Sequence, residues 1–334
     1  MRTCNLLLFC LGLTVCLSSC DFRASSSSAT SFRRATGWPF EVVVVMEREM
    51  WKGEAGQLLK EQLEESVPAI PQVEPSMRLT YSEPDRFNGL LMLVRNVLIV
   101  KVDSSLYTRS GFKDEEDKWA TGQNIVYLYA PSAAALTEYL LLNEGKLVAH
   151  FNTIERNRWM AGYGKSHSSK AKTLLEEQMG ISVLIPEDMI ACKEESDFLW
   201  FSNNANRGRM DFLAYSFPYT TEQAFTSDYL VAMRDSALMR NVPGSFPNSY
   251  MTTEKRYGLS YDPISFRGEY CGVLRGLWRV EGDKMGGPFV CHALLDKKRQ
   301  RVIMVEAFVF APESKKANLI RRLEASLFTF RFTE

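Results

Sequence analysis

Cysteine and histidine are the residue types here that could support nucleophilic or redox chemistry, and histidine is scarce. The 334-residue chain holds seven cysteines and three histidines, His150, His167 and His292. A cysteine nucleophile needs a histidine within hydrogen-bond reach, and His292 directly follows Cys291 on a predicted strand. Because adjacent strand residues point to opposite faces, this pair cannot act together. We interpret His150 as a structural helix residue and His167 as part of a polar loop.

Carboxylates are numerous, so a hydrolase that uses a pair of them stays an alternative. Glu269, Glu281 and Asp283 lie near a predicted hairpin, but their spacing does not distinguish catalysis from solvation. Sequence motifs of zinc proteases, serine hydrolases and phosphate-binding loops do not occur, nor does a C-x-x-C metal spacing. We therefore assign no catalytic residue, expect neither a metal nor a cofactor, and favour a non-enzymatic role.

The N-terminus indicates a different chemistry, the acylation of a cysteine. Arg2 precedes a mostly apolar run from Leu6 to Leu17, which has the length of a signal-peptide core. The sequence Leu17-Ser18-Ser19-Cys20 resembles the lipobox of bacterial lipoproteins, in which the cysteine receives the lipid. We expect residues 1–19 to be a signal peptide, Cys20 to be lipidated, and residues 20–34 to form a flexible tether.

Three cysteines remain in the body after the expected cleavage: Cys192, Cys271 and Cys291. Cys271 and Cys291 lie on two predicted strands at similar distances from a glycine-rich turn, so an antiparallel hairpin could place them opposite one another. The sequence leaves two interpretations, a disulfide between them or two buried free thiols, and we prefer the free thiols.

The stretch from Arg275 to Val290 combines a large aromatic residue with a glycine-rich turn. The candidate binding loop within it consists of Trp278, Lys284, Met285, Gly286, Gly287 and Pro288. Glycines followed by proline require special backbone geometry, which suits a binding loop beside an aromatic ring. The alternative is a tight hairpin with a core tryptophan, which we prefer.

The charge balance gives the chain no overall field that would favour nucleic acid or anionic lipid, although basic clusters occur locally. Lys plus Arg and Asp plus Glu both number 40, and hydrophobic residues make up 46% of the chain. Since no net field would attract a polyanion, we expect no nucleic-acid partner.

The hydrophobic patterns predict an α+β fold with mixed and antiparallel sheets, helices packed on their faces, and two closely associated subdomains. Three runs that end at Pro131, Pro218 and Pro312 read as strands leading into helices. The polar segment 104–118 reads as a surface loop. A small, polar break over 162–169 divides the body into residues 35–168 and 169–334.

Six segments of the body form a recognisable pattern: Ala35–Val42, Ile70–Pro75, Arg95–Val97, Phe217–Thr220, Arg275–Val290 and Glu306–Pro312. Together they resemble an uncharacterised family of Bacteroidetes lipoproteins, the domain of unknown function 4837. The resemblance covers nearly all of the body. It implies a lipoprotein of a Gram-negative envelope and supplies no activity, cofactor or site residue.

Together these features predict a lipid-anchored envelope protein, and we expect it at the periplasmic face of the outer membrane. We favour a binding, assembly or quality-control role. The protein would contact the membrane through the lipid on Cys20, and its further partner would be an envelope protein or glycan. The alternative is a hydrolase of envelope glycan or peptide.

Overall fold

A computed structural model describes residues 33–333, which form two large β-sheets with helices on their faces. Cys20, the predicted signal peptide and most of the predicted tether lie outside the described residues. Arg34, at the expected end of the tether, forms a β-bridge with Thr121.

Within residues 33–165, the N-terminal part contains five strands and four α-helices. Their bounds are β1 Glu41–Val45, α1 Arg48–Lys52, α2 Glu54–Leu63, β2 Arg78–Ser82, β3 Asn96–Val102, β4 Gly111–Glu116, β5 Asn124–Ala130, α3 Ala133–Leu142 and α4 Lys146–Lys165.

The C-terminal part contains ten strands and three helices. Their bounds are α5 Ser169–Met179, β6 Ile181–Ser182, β7 Ile190–Glu195, β8 Phe198–Ser202, β9 Arg209–Pro218, α6 Ser227–Asn241, β10 Tyr250–Glu254, β11 Ser260–Phe266, β12 Glu269–Glu281, β13 Gly286–Asp296, β14 Arg301–Phe310, α7 Ala317–Leu327 and β15 Arg331–Phe332.

The N-terminal sheet is mixed, with strand order β2-β1-β3-β5-β4. Strands β1, β2, β3 and β5 run parallel, and β4 runs antiparallel to β5. Parallel neighbours need a crossover, which α1 and α2 provide between β1 and β2. Leu59 of α2, Leu136 of α3 and Phe151 of α4 pack on one face of this sheet and form its main core.

The C-terminal sheet is antiparallel, in the order β10-β12-β13-β14-β9-β8-β7, and β11 pairs with the first half of β12. Leu175 of α5 and Leu323 of α7 pack on one face, and Leu238 of α6 packs on the other. Because both faces are covered, central strands need apolar residues on both sides, and Val302–Val309 of β14 is buried at every position.

Helix α7 connects the two parts. The buried Glu74 carboxylate, from the segment after α2, accepts hydrogen bonds from the backbone N–H groups of Lys316 and Ala317, at 2.6 and 3.3 Å. This carboxylate satisfies donors that a helix start leaves unpaired. Tyr163 of α4 donates to the carbonyl of Arg322 at 2.7 Å, so α7 is held from both sides.

The α+β class and the mixed and antiparallel sheets are confirmed. The predicted loop over 104–118 is wrong, because β4 lies within it. Strand β4 lies at the sheet edge, with Lys113 and Glu115 on the less covered face. Its charged composition is that of a surface loop, so the sequence pattern does not indicate a strand. No helix among residues 33–333 is long and apolar enough to span a membrane.

The predicted break over 162–169 is shorter than expected. Helix α4 continues through Gly162 and Gly164 to Lys165, and α5 begins at Ser169, capped by the side chain of Ser168. Tyr163 is buried and bonded to α7, which holds the glycine-containing last turn of α4 in helical form.

Each part buries an ion pair in its interior. In the C-terminal part, Arg234 of α6 donates to both carboxylate oxygens of Glu306, at 2.9 and 2.6 Å, and neither side chain is exposed. In the N-terminal part, Glu155 accepts from Arg95 at 2.7 Å and from Arg158 at 2.8 Å. Such pairs offset their desolvation only when their hydrogen bonds are complete.

We expect Glu306→Gln to lower the free energy of unfolding by about 3–5 kcal/mol, because the buried Arg234 would lose its hydrogen-bonded counter-charge and keep only Asp235, 3.9 Å away. Urea unfolding followed by circular dichroism measures this change. The matched variant is Glu313→Gln, at an exposed position, where we expect a change within about 0.5 kcal/mol. Equal losses in both variants would contradict the assignment.

Candidate functional site

The six residues of the candidate binding loop do not form one exposed loop, and Trp278 lies in the core, as in the preferred alternative of a tight hairpin. Trp278 is 2% exposed, donates to the carbonyl of Val309 at 3.3 Å, and packs edge-on against Phe308. Gly286 and Gly287 pair with β12 as the start of β13. A Cβ atom on Gly287 would lie 2.1 Å from the Val309 carbonyl oxygen, so the glycine permits a close strand approach and leaves no space for a ligand.

The other members of the predicted loop separate. Lys284 is exposed in the turn, and Met285 packs on the core beneath α6. Pro288 lines a cavity on the opposite side of the sheet. Of the six residues, this proline alone reaches that cavity.

Cys271 and Cys291 are both free and buried, so the disulfide interpretation is wrong. In the hairpin, Cys271 pairs with Leu294, and Cys291 pairs with Leu274. This offset of three residues places the two thiols on opposite faces of the sheet. Burial raises the pKa of Cys271 to about 12, and it also raises the pKa of Cys291.

The remaining candidates for chemistry also lie apart. His150 contacts Asp114 at 2.8 Å, and the Nδ1 atom of His167 lies 2.9 Å from the carbonyl of Tyr163. Glu269 pairs with Lys297, and Glu281 pairs with Arg279. These two acids belong to exposed ion pairs and do not face one another as a catalytic pair would.

A cavity of about 340 Å³ lies between the N-terminal and C-terminal parts, within the range typical of small-molecule sites. The N-terminal part contributes Phe40, the connector 67–69 and one side of α4. The C-terminal part contributes Val290 and Pro288 of β13, together with one side of α7. We call this cavity the arginine pocket, because Arg156, Arg275 and Arg321 line it with a single carboxylate, that of Glu324.

Two of these arginines have no carboxylate partner among residues 33–333. The guanidinium of Arg156 lies 4.1 Å from the ring centre of Phe328 and donates to Thr153 at 3.2 Å. Arg321 lies 3.4 Å from the ring centre of Phe40 and donates to the carbonyl of Ser76 at 2.8 Å.

The pKa values of both arginines reflect this lack of counter-charge. Burial lowers the pKa of Arg156, and it lowers the pKa of Arg321 to about 10. Both guanidinium groups stay charged at neutral pH, but their charge is only partly compensated.

Arg275 and Glu324 form the ion pair of the pocket. Burial acts against both charges, but their mutual attraction is stronger. It raises the pKa of Arg275 and lowers that of Glu324. Glu324 is therefore ionised at neutral pH and does not serve as a proton donor there.

His292 is buried on the same face of the sheet as Arg275. It is fully buried, neither ring nitrogen has a hydrogen-bond partner in the described part of the chain, and its ring packs edge-on against Phe328 at 5.0 Å. Burial lowers its pKa to about 4, and the charges of Glu324 and Arg275 act on it in opposite directions.

Two family models match adjacent segments of the chain. Residues 168–329 match the domain of unknown function 4837. The C-terminal half belongs to that family. Residues 35–163 match a second family, the domain of unknown function 8532. The match to the first family is therefore narrower than the sequence resemblance suggested, which agrees with a separate sheet and core in each half.

No curated protein matches this chain. Among solved structures, the Ran-binding protein Mog1p of Saccharomyces cerevisiae is 7% identical, covering 46% of this chain and 91% of its own, with a TM-score of 0.30. The human StarD13 lipid transfer and protein localization domain is 6% identical, and the match covers 41% of this chain and 88% of that domain with a TM-score of 0.22. A Bacteroides thetaiotaomicron protein is 12% identical, and the match covers 46% of each chain with a TM-score of 0.20. At these TM-scores, the likenesses carry no argument about function.

The arginine pocket lies where the two matched segments meet. Sequence reasoning included Arg275 and Pro288 in the unusual stretch but missed Arg156, Arg321 and Glu324. One usable signal is the position of Arg321 and Glu324, each next to the apolar stripe of Ile320, Leu323 and Leu327 on α7. Charged residues beside a buried stripe indicate either a paired interior charge or a lined cavity.

We expect His292→Leu to change how stability depends on pH. The folded protein holds this pKa near 4, against about 6.5 in an unfolded chain. The wild type should therefore lose up to about 3 kcal/mol of stability as the pH falls from 6.5 to 4. Urea unfolding across this range should show a smaller loss in His292→Leu, whereas the partly exposed His167→Leu should follow the wild type. Parallel curves for all three proteins would contradict this prediction, because they would show that folding does not lower the pKa of His292.

Proposed function

We propose that this protein is a lipid-anchored envelope protein that binds an anionic ligand in the arginine pocket. The observation that carries the proposal is the charge of the pocket, where three guanidinium groups face one carboxylate. A phosphate or carboxylate group would supply the missing counter-charge, and arginine binds both groups through paired N–H donors. The ligand would then contact both family segments at once.

Binding is favoured over hydrolysis by the chemistry of the pocket. A pair of catalytic carboxylates needs one member that is protonated near neutral pH. The single carboxylate of the pocket, Glu324, is held ionised by Arg275. Ser76, Asn152 and Thr153 add polar groups to the lining that can fix the orientation of a ligand.

The proposed anchor is a lipid on Cys20, supported by the apolar run and the Leu17-Ser18-Ser19-Cys20 sequence. Two or more acyl chains bind a bilayer far more firmly than one. An outer-membrane position with the body in the periplasm is part of the same proposal. The body would then meet anionic envelope components without needing a spanning helix.

We expect Cys20→Ala to move the protein from the membrane fraction to the soluble or unprocessed fraction, because the thiol that carries the lipid is removed. Cell fractionation with immunoblotting measures the distribution. Cys16→Ala, inside the apolar run, is the control and should leave it unchanged. A Cys20→Ala protein that stays mature and membrane-bound would refute lipid anchoring.

We expect inorganic phosphate to raise the melting temperature above its value in chloride of equal ionic strength. At about 100 times its Kd, a ligand adds about 2.7 kcal/mol of stability. Arg156→Gln should reduce the rise, and Glu324→Gln should increase it, because a competing carboxylate is lost.

Differential scanning fluorimetry measures these shifts. The matched control is Arg207→Gln, at an exposed position in the loop before β9, which should behave like the wild type. An equal phosphate effect in Arg156→Gln and in the wild type would show that phosphate acts elsewhere.

A further inference from the structure

Among residues 33–333, no α-helix covers one face of the N-terminal sheet. Val43, Val97, Ile125 and Tyr127 form a small core on this face, opposite the face that carries α2, α3 and α4. Its cover comes from Phe87, Leu91, Val94 and Trp119, which lie in irregular segments and a short 3-10 turn and are only partly buried. We call this surface the open sheet face.

The open sheet face is basic around Tyr127. The ammonium groups of Lys101, Lys113 and Lys118 lie 5.3, 5.9 and 5.4 Å from the centre of its ring. Glu115 pairs with Lys118 at 2.8 Å and accepts from the Tyr127 hydroxyl at 2.7 Å. Among residues 33–333, Lys101 and Lys113 form no ion pair, and both are exposed. Their positive charges are therefore free to meet an anionic surface.

Exposed apolar side chains lie beside the segments that cover this face. Trp38 is 69% exposed and Leu90 is 76% exposed. The segments that carry them are joined by a hydrogen bond from the Thr36 N–H to the Leu93 carbonyl, at 2.8 Å. Tryptophan and leucine next to lysine are the residues that proteins place at a membrane interface.

The described chain also begins at this face. Arg33 and Ala35 exchange backbone hydrogen bonds with Thr121, both at 2.9 Å, and the side chains of Arg33 and Arg34 are exposed. Arg33 follows Cys20 by 13 residues. Even fully extended, that length spans only about 45 Å, so a lipid on Cys20 would hold Arg33 within that distance of the bilayer.

We propose that the open sheet face rests on the membrane surface. Lys101, Lys113, Arg33 and Arg34 contact anionic headgroups, and Trp38 and Leu90 enter the headgroup region. The inference uses the proposed anchor as the source of a high local concentration. The charge and apolar exposure of the face are independent of that anchor.

The test is fluorescence quenching in vesicles whose lipids carry brominated acyl chains. The full lipidated protein, with Leu90→Cys in a Cys192→Ser background, carries a bimane dye at position 90. We expect severalfold stronger quenching there than at position 239, labelled through Met239→Cys on α6, where the side chain is 51% exposed. Adding phosphatidylglycerol to phosphatidylcholine should strengthen the quenching at position 90.

Charge reversal separates docking from simple proximity. Lys101→Glu with Lys113→Glu should abolish the gain from phosphatidylglycerol. The matched pair Lys298→Glu with Lys315→Glu, at exposed positions of the C-terminal part, should leave it intact. Equal quenching at positions 90 and 239, or a gain that survives the first reversal, would overturn the proposal.

The two proposals fail in different ways. Failure of the anchor would appear as protein that does not float with pure phosphatidylcholine vesicles. The open sheet face would still be tested with phosphatidylglycerol vesicles in the same experiment. In the phosphatidylglycerol vesicles, absence of quenching at position 90 would overturn the proposed membrane contact of the open sheet face, whether or not the anchor is present.

Discussion

The position of helix α7 is the constraint on which the pocket depends. Its first turn is fixed by a carboxylate from the other half of the chain, Glu74, and its middle by the hydroxyl of Tyr163. Apolar packing alone does not define the position of a helix along its axis, since a shift exchanges one set of contacts for a similar one. Hydrogen bonds to particular backbone groups do define it, and they place Arg321 and Glu324 in the pocket rather than in solvent.

Buried arginines have different partners in the interiors of the two halves and in the pocket between them. In each interior, arginine is paired directly with a carboxylate, as Arg234 is with both oxygens of Glu306. In the pocket, Arg156 and Arg321 instead lie against aromatic rings. An aromatic face gives a cation part of the stabilisation that a carboxylate gives. Arg321 already donates to Ala317, Ser76, Asn152 and Asn318. Arg156 donates only to Thr153 within residues 33–333, so it is the arginine with donors left for the proposed anion.

Local signals in the sequence predicted local structure well. Ser132 caps α3 as its hydroxyl chemistry suggests, and Gly180 ends α5 in the left-handed conformation that glycine favours. The antiparallel hairpin of β12 and β13, expected from two strand-like runs around a glycine-rich turn, is present. Features that depend on partners distant in sequence were not visible. Edge strand β4 looks like a charged loop, and the register of Cys271 against Leu294 depends on the turn geometry. The pocket joins α4 to α7 across more than a hundred residues, so no spacing rule could have revealed it.

The location of the arginine pocket also bears on how this chain could change over time. Each family segment has its own sheet and core, but the two are not independent, because Glu74 and Tyr163 of the first segment bond to the backbone of α7 in the second. The pocket belongs to neither segment alone, because Arg156 comes from one and Arg275, Arg321 and Glu324 come from the other. Recombination that replaced one segment would therefore remove part of the proposed ligand site together with the bonds that position α7. Substitutions in the pocket side of one segment would be constrained by the residues of the other.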